Sequence, residues 1–162
     1  MEETLALLRA GKKEQVRKRA KETLRKTKWD PESWFRMGMV AQHEGRLEHA
    51  LECFERAIHI HANAKYYRAK ASVHMELFEF EEAMEDLHHA LEISEDTDSL
   101  FLVAACLLFL DSPESAKYMK KAKKRDPART NELLREFFLR FFKEDKSLSE
   151  KAKKDLWKKI SS

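Results

Sequence analysis

The sequence predicts an all-α fold built from consecutive antiparallel helix pairs. Only three Gly and three Pro occur in 162 residues, which leaves little material for hairpins or irregular loops. Glu, Lys, Leu and Ala, all good helix formers, are abundant. A pattern of small and large apolar residues also returns every 32 to 34 residues, a period typical of helical repeat arrays.

The repeated positions follow from how two helices cross. Gly11 and Gly45 are 34 residues apart. Four triplets are equivalent: Val16, Ala20 and Thr23; Ala50, Phe54 and Ala57; Ala83, Leu87 and Ala90; Ser115, Met119 and Ala122. The first halves of two units repeat Trp34, Gly38 and Ala41 as Tyr67, Ala71 and His74. We expect a small residue such as Gly38 where the helices of a pair meet and a large one such as Phe54 in the space inside the pair.

These residues resemble the tetratricopeptide repeat. The segment WFRMGMVAQHEGRLEHALECFERAIHI has the aromatic and glycine opening at Trp34 and Gly38, the loop glycine Gly45, and the Ala-x-x-x-Phe-x-x-Ala signature starting at Ala50. The next unit repeats the signature at Ala83, Leu87 and Ala90. The resemblance implies a right-handed superhelical array, an α-solenoid, in which the first helices of the units line a concave groove.

The repeat pattern predicts about ten helices in one domain, residues 1–162. We expect helices at 2–10, 12–28, 31–44, 47–61, 64–77, 80–93, 98–110, 113–125, 128–143 and 147–160. Residues 31–62 and 64–95 are the clear repeats, 97–127 is a divergent one, 1–28 is a degenerate N-terminal pair and 128–160 are capping helices. No linker rich in Pro, Gly or Ser divides the sequence.

The sequence gives no sign of an enzyme. Cys53 and Cys106 are not paired in spacing and are expected to be small core residues in a reducing compartment. His59 and His61, like His88 and His89, are spaced so that a helix points them to different faces, so we predict no metal site. Isolated glycines exclude a phosphate loop, and we predict no catalytic residue and no cofactor.

The composition also gives expectations for the cellular location and the thermal stability of the protein. The N-terminus has acid where a signal peptide needs base, and the longest apolar run, residues 100–110, is too short to span a bilayer. We therefore expect a cytoplasmic protein without membrane contact. Charged residues make up 38% of the chain, a balance that resembles proteins of thermophiles.

A protein or peptide partner is the first functional prediction, because the concave groove is where such arrays bind. The positions expected to line it are Phe35, Arg36, Met39, Gln42, Arg68, Ser72, Met75, Phe101, Ala105 and Leu108. A groove with Met and Phe suits the apolar face of a partner helix or an apolar peptide. The alternative for Phe101, Leu102, Leu108 and Phe109 is that the C-terminal helices of the chain cover them. A carboxylate clamp of the chaperone-binding kind is not expected, because Phe35, Met39 and Ala69 replace its polar residues.

The charges suggest a second function. Residues 1–28 carry ten basic and four acidic side chains, residues 116–162 sixteen and seven, and the middle six and eighteen. Lys13, Arg17, Lys21 and Arg25 form a basic patch along one helix, a row of like charge that costs stability unless it is neutralised. Nucleic acid in a ribonucleoprotein, an acidic protein, or the acidic middle of another copy could neutralise it. A merely solvated face is the remaining alternative.

The segment NELLREFFLRFF, residues 131–142, has three interpretations. Leu134, Phe138 and Phe141 follow at helical intervals and predict a cap over the preceding helices, with Phe137 or Phe142 left partly exposed. Leftover rings could instead dock a partner. Asn131, Leu134, Phe137 and Phe138 also resemble the spacing of sliding-clamp-binding peptides, although Asn stands in place of Gln.

Overall fold

The computed structural model describes residues 2–142, 149–151, 153–154 and 158, and all its regular elements are helices. They are α1 (Glu2–Arg9), α2 (Lys13–Lys26), α3 (Pro31–His43), α4 (Leu47–Ile60), α5 (Ala64–Glu76), α6 (Phe80–Ile93), α7 (Thr97–Phe109), α8 (Glu114–Arg125) and α9 (Pro127–Phe141). Each lies within two residues of its predicted bounds. The all-α repeat fold is confirmed, whereas most of the tenth predicted helix, 147–160, lies outside the described residues.

Acidic or amide caps explain where four of the helices start. The side chains of Asp30, Asp96 and Asp126 accept hydrogen bonds from the backbone three residues on, at 2.7, 2.8 and 2.9 Å. Asn63 accepts from the backbone N–H of Lys65 at 3.0 Å. Each bond satisfies an N–H that the helix itself leaves without a partner.

The turn inside each helix pair has a left-handed residue at an equivalent place. Gly11 and Gly45 have φ of 71° and 73°, and Phe78 and Asp111, at the equivalent positions of the next two units, have φ of 62° and 51°. Glycine enters this region without a steric penalty, whereas a side chain does so at a cost. The repeat of backbone conformation therefore continues where the glycine pattern of the sequence stops.

The contacts divide the chain into two compact units, Met1–Glu95 and Asp96–Ser162. In the first unit the helices of each pair pack on each other, α2 and α3 are neighbours, and so are α4 and α5. Its main core cluster is Phe35, Ala41, Ala50, Phe54, Ala57, Tyr66 and Val73. A second cluster, Leu8, Val16 and Val40, joins α1, α2 and α3. The prediction of a single domain stays a prediction.

In the second unit α7 and α8 pair, and α9 lies against both. Phe137 is 7% exposed, and its ring centroid lies 6.0 Å from that of Phe101 and 5.7 Å from that of Phe109. The predicted cap is thus present in α9. We expected either Phe137 or Phe142 to stay partly exposed, and the structure shows that Phe142 does, whereas Phe137 is the most buried of the four.

The other three phenylalanines of residues 131–142 are partly buried. Phe141 and Phe142 both contact Phe109, at 5.5 and 6.4 Å between centroids, and Phe138 contacts Phe142 at 6.2 Å. A large apolar side chain of this helix, Leu139, is exposed at 46%. Leu134 and Phe137 are buried in the protein core. Two of the side chains that would anchor a sliding-clamp-binding peptide are therefore not accessible.

Candidate interaction surfaces

Helices α1, α3 and α5 are the first helices of their pairs, and they meet along one side of the first unit. We call this side the first-helix surface and define its accessible part by Arg36, Met39, Gln42, Arg68 and Ser72, all half-buried. Arg36 lies with Glu3, Thr4, Leu7, Val16 and Arg19 around a small pocket. Met39 packs against both core clusters.

The side chain of Gln42 connects α3 to α5. Its Nε2 donates to Ser72 Oγ at 3.2 Å and to Glu76 Oε1 at 2.6 Å. At the other end of the helices Lys65 donates to Glu32. Arg36 Nε lies 3.5 Å from Glu32 Oε1, and it is buried without a hydrogen-bond acceptor. These polar contacts fix the two helices side by side, about one repeat apart in sequence.

The structure shows that four residues predicted to line the groove are buried instead. Phe35 and Met75 are 2% and 1% exposed, and Phe101 and Ala105 are both 2% exposed. The ring centroid of Phe35 lies 5.7 Å from that of Phe54 and 5.1 Å from that of Tyr66, so this side chain belongs to the core. A shift of about 100° around a helix separates core from surface, and sequence spacing did not resolve it.

Leu108 and Phe109 differ in solvent exposure. Phe109 is half-buried under the rings of α9, as the alternative interpretation predicted, and Phe101 is fully covered. Leu108 is 49% exposed, so among the predicted groove residues of the second unit it alone is accessible.

The basic patch of α2 is partly neutralised by the protein itself. Arg17 forms ion pairs with Glu14 and with Glu44 at the end of α3, and Lys13 Nζ lies 3.6 Å from the same Glu44 carboxylate. The Arg46 and Arg17 guanidinium groups lower the pKa of Glu44 to about 2. Lys21 and Arg25 are exposed and form no ion pair with the described residues. Only half of the patch is therefore available to an outside partner.

Family models described as tetratricopeptide repeat match residues 31–63 and residues 63–97. The two segments contain the signature positions at Trp34, Gly38, Ala50, Ala83 and Ala90. The chain is a tetratricopeptide repeat protein. Repeats of this family in general form protein–protein interaction modules, and proteins of this family are in general non-enzymatic scaffolds.

Solved structures share the fold of this tetratricopeptide repeat protein. MamA from Desulfovibrio magneticus RS-1 is 20% identical, with 97% of this chain and 88% of that chain covered and a TM-score of 0.66. A further MamA structure is 15% identical, covering 99% and 91% of the two chains at a TM-score of 0.66. YrrB, described as a TPR protein with an unusual peptide-binding site, is 19% identical over 74% of this chain, with a TM-score of 0.63. The chain spans 62% of the length of the YrrB chain. No curated protein matches the sequence.

The tetratricopeptide repeat protein also has a pocket that sequence reasoning missed. A surface pocket of about 650 Å³ is lined by Lys28, Trp29, Trp34, Glu52, Glu55, Arg56, His59 and Ile60. The Arg56 guanidinium carbon lies 4.6 Å from the Trp34 ring centroid, and Trp34 Nε1 donates to the Lys28 carbonyl at 2.9 Å. Trp29, 73% exposed, stands at its edge. A tryptophan just before the repeat was the available signal.

Among the described residues, no group of three or more His, Cys, Asp or Glu side chains is arranged to hold a metal ion. Cys53 and Cys106 are buried thiols that are not joined in a disulfide, and burial raises the pKa of the Cys53 thiol to about 11. A thiol in that state is a poor nucleophile. No helix within the described part of the chain has the length and apolar character needed to cross a bilayer.

Proposed function

We propose that this protein is an adaptor that binds a segment of a partner protein on its first-helix surface. The observation that carries the proposal is the reach of Gln42 from α3 to Ser72 and Glu76 of α5. This contact aligns accessible side chains of two consecutive repeats along one surface. An extended partner segment that crosses both repeats can then contact side chains of both.

The burial pattern favours a polar partner segment over the apolar helix that the sequence suggested. Phe35 and Met75 are buried, and Met39 is partly covered by packing on the core clusters. The half-buried side chains of this surface include Arg36, Gln42 and Ser72, all of which carry polar functional groups. Such groups hydrogen-bond backbone carbonyls and side-chain oxygens, so recognition relies on hydrogen bonds and charge.

A displayed random-peptide library selected on the immobilised protein tests this function. We expect selected peptides to lose at least tenfold in affinity with the variant Gln42→Lys, because the new ammonium group occupies the path between α3 and α5. The matched control is Gln15→Lys on the exposed face of α2, which should leave affinity unchanged. Gln42 is a better probe than Met39, whose side chain also packs the core.

Peptides that bind both variants equally would contradict the proposal, provided that both proteins retain their helical circular dichroism. Binding lost instead on mutation of Trp29 would place the partner at the pocket near α4.

A nucleic-acid-associated role through the basic terminal helices is the second candidate. It has less support at α2, because Arg17 and Lys13 are already paired with carboxylates. The support that remains is the helix α8, where six of the nine residues 117–125 are basic. Salt-dependent retention on immobilised RNA or DNA at about 0.15 M salt is the expected result for this role, and passage without retention excludes it.

A further inference from the structure

Three exposed lysines of α8 form a basic surface without ion pairs to the described residues. Lys117, Lys120 and Lys124 are exposed and succeed one another at intervals of three and four residues, so they share one face of the helix. No carboxylate among the described residues forms an ion pair with any of the three. Like charges at this spacing destabilise a helix, and an acidic partner would remove that cost.

The opposite charge is concentrated in a cleft of the first unit between α4, α5 and α6. This acidic cleft has a volume of about 470 Å³, and its carboxylates are Glu55, Glu82, Glu85 and Asp86. It also contains Ile58, His59, Tyr67, Lys70, His74 and His89. Lys70 is its only lysine or arginine, and it lies 3.2 Å from Asp86 Oδ1 and 3.5 Å from Glu55 Oε1.

Two carboxylates of the acidic cleft remain available. Glu82 and Glu85 are exposed, and neither forms an ion pair with a described residue. Deeper in the cleft, Asp86 is 5% exposed, and its Oδ2 accepts no hydrogen bond. The cleft therefore carries more negative charge than Lys70 compensates.

We propose that the lysine face of α8 docks into the acidic cleft of a second copy of this chain. The two surfaces have opposite charge, and every copy carries both. Among the described residues, the three lysines form no ion pair, and Lys70 compensates only part of the charge of the cleft. The interface is heterologous, because different surfaces of the two copies meet, so association extends into chains or closes into a ring. This self-association goes beyond the adaptor function and does not use the first-helix surface.

A second copy fits these surfaces better than nucleic acid does. Proteins that bind single strands through a basic surface normally stack bases on exposed aromatic rings. Tyr118, the aromatic residue of α8, is half-buried, and Lys121 Nζ lies 5.6 Å from its ring centroid. The acidic cleft has the opposite charge to the lysine face, and because both are on the same chain, they are present at equal concentration.

Sedimentation velocity of the full chain between about 5 and 200 µM tests the proposal. We expect concentration-dependent association in about 50 mM salt that is lost near 0.5 M, because salt screens exposed charges. Two charge-reversed variants should each associate at least tenfold more weakly: Lys117→Glu with Lys120→Glu and Lys124→Glu, and Glu82→Lys with Glu85→Lys. A control, Lys21→Glu with Arg25→Glu on α2, should associate like the parent protein.

Mixing the two charge-reversed variants is the decisive measurement. The reversed α8 of one variant then meets the reversed cleft of the other, and the unaltered surfaces also match, so association should return. A parent protein that stays monomeric in low salt overturns the proposal, as does a mixture that fails to associate. Binding of a single-stranded RNA oligonucleotide that is lost on reversal of α8, without self-association, assigns the lysine face to nucleic acid instead.

Discussion

Gly38 lies directly against the ring of Phe54: a Cβ added at Gly38 would be 2.5 Å from the ring carbon Cε1. The glycine thus makes room for the Phe54 ring inside the α3–α4 pair, where Phe54 is completely buried. The sequence pattern placed a small residue at this crossing. The structure shows that the ring of Phe54 is what requires it.

Gly38→Ala should therefore destabilise the protein by about 1–3 kcal/mol, the usual cost of overpacking a core. Urea unfolding followed by circular dichroism gives the free energy. The double variant Gly38→Ala with Phe54→Leu should lose less than the sum of the two single variants, because the smaller side chain leaves room for the methyl group. Additive losses would show that the Gly38–Phe54 contact is not the cause.

The left-handed turn position predicts two effects of opposite sign. Gly45→Ala should cost about 1 kcal/mol, since its φ of 73° disfavours a side chain although nothing lies within 4 Å of the added carbon. Phe78→Gly should stabilise the protein by up to about 1 kcal/mol, because Phe78 has φ of 62° and is 72% exposed. A loss of stability in Phe78→Gly would mean that the contact of its ring with Phe80, 6.1 Å between centroids, matters more than the backbone strain.

We expect the ionised carboxylate of Glu44 to raise the free energy of unfolding, and we expect acid to remove this contribution. Its folded-state pKa of about 2 lies below the ordinary 4.5, so the ionised group stabilises the fold above about pH 4.5, and this effect disappears as the pH falls toward 2. Glu44→Gln should lose on the order of 1–2 kcal/mol at pH 7, a figure reduced for solvent screening. The difference from the parent should shrink toward pH 2, whereas the exposed Glu48→Gln should have little effect at any pH. A difference that persists at pH 2 would contradict the ion-pair explanation.

The contribution of Asp86 to stability should depend on pH in the opposite direction. Burial raises the pKa of this carboxyl above 3.8, and the charge of Lys70 only partly offsets the effect. The group therefore favours the fold most when it is protonated, below pH 3.8, and this contribution is lost as the pH rises through its folded-state pKa. Asp86→Asn should be at least as stable as the parent at pH 7, with Lys70 still paired to Glu55, and the two should converge below about pH 4. A loss above about 1 kcal/mol at pH 7 would show that the Lys70–Asp86 pair outweighs desolvation.

Phe137 predicts how strongly the cap holds the second unit. Phe137→Ala removes a buried ring that contacts Phe101 and Phe109, and it should cost about 3–5 kcal/mol. Leu139→Ala, on the exposed side of the same helix, should stay within about 0.5 kcal/mol of the parent. Near-ultraviolet circular dichroism and urea unfolding measure both, and equal effects would mean that α9 does not cap the core.

The helices, their pairing and the repeat could all be predicted from the amino-acid sequence. Helix positions follow from local information: a repeat period near 33 residues, and small residues such as Gly38 at fixed distances from large ones such as Phe54. The same local pattern identified Cys53 and Cys106 as core residues, and both are buried. These features need only neighbours within one helix pair.

Tertiary structure alone decided which side chains of the first helices stay accessible. Phe35 and Met75 were expected on the groove but are buried, whereas Leu108 is exposed, because the rotation of each helix against its neighbours sets the depth of its side chains. Contacts between distant segments likewise determined that Glu44 neutralises Arg17 and that Phe137, on the capping helix α9, packs against Phe101. Period and composition fix what a helix is, but burial and charge pairing depend on neighbours that are about 30 or more residues away.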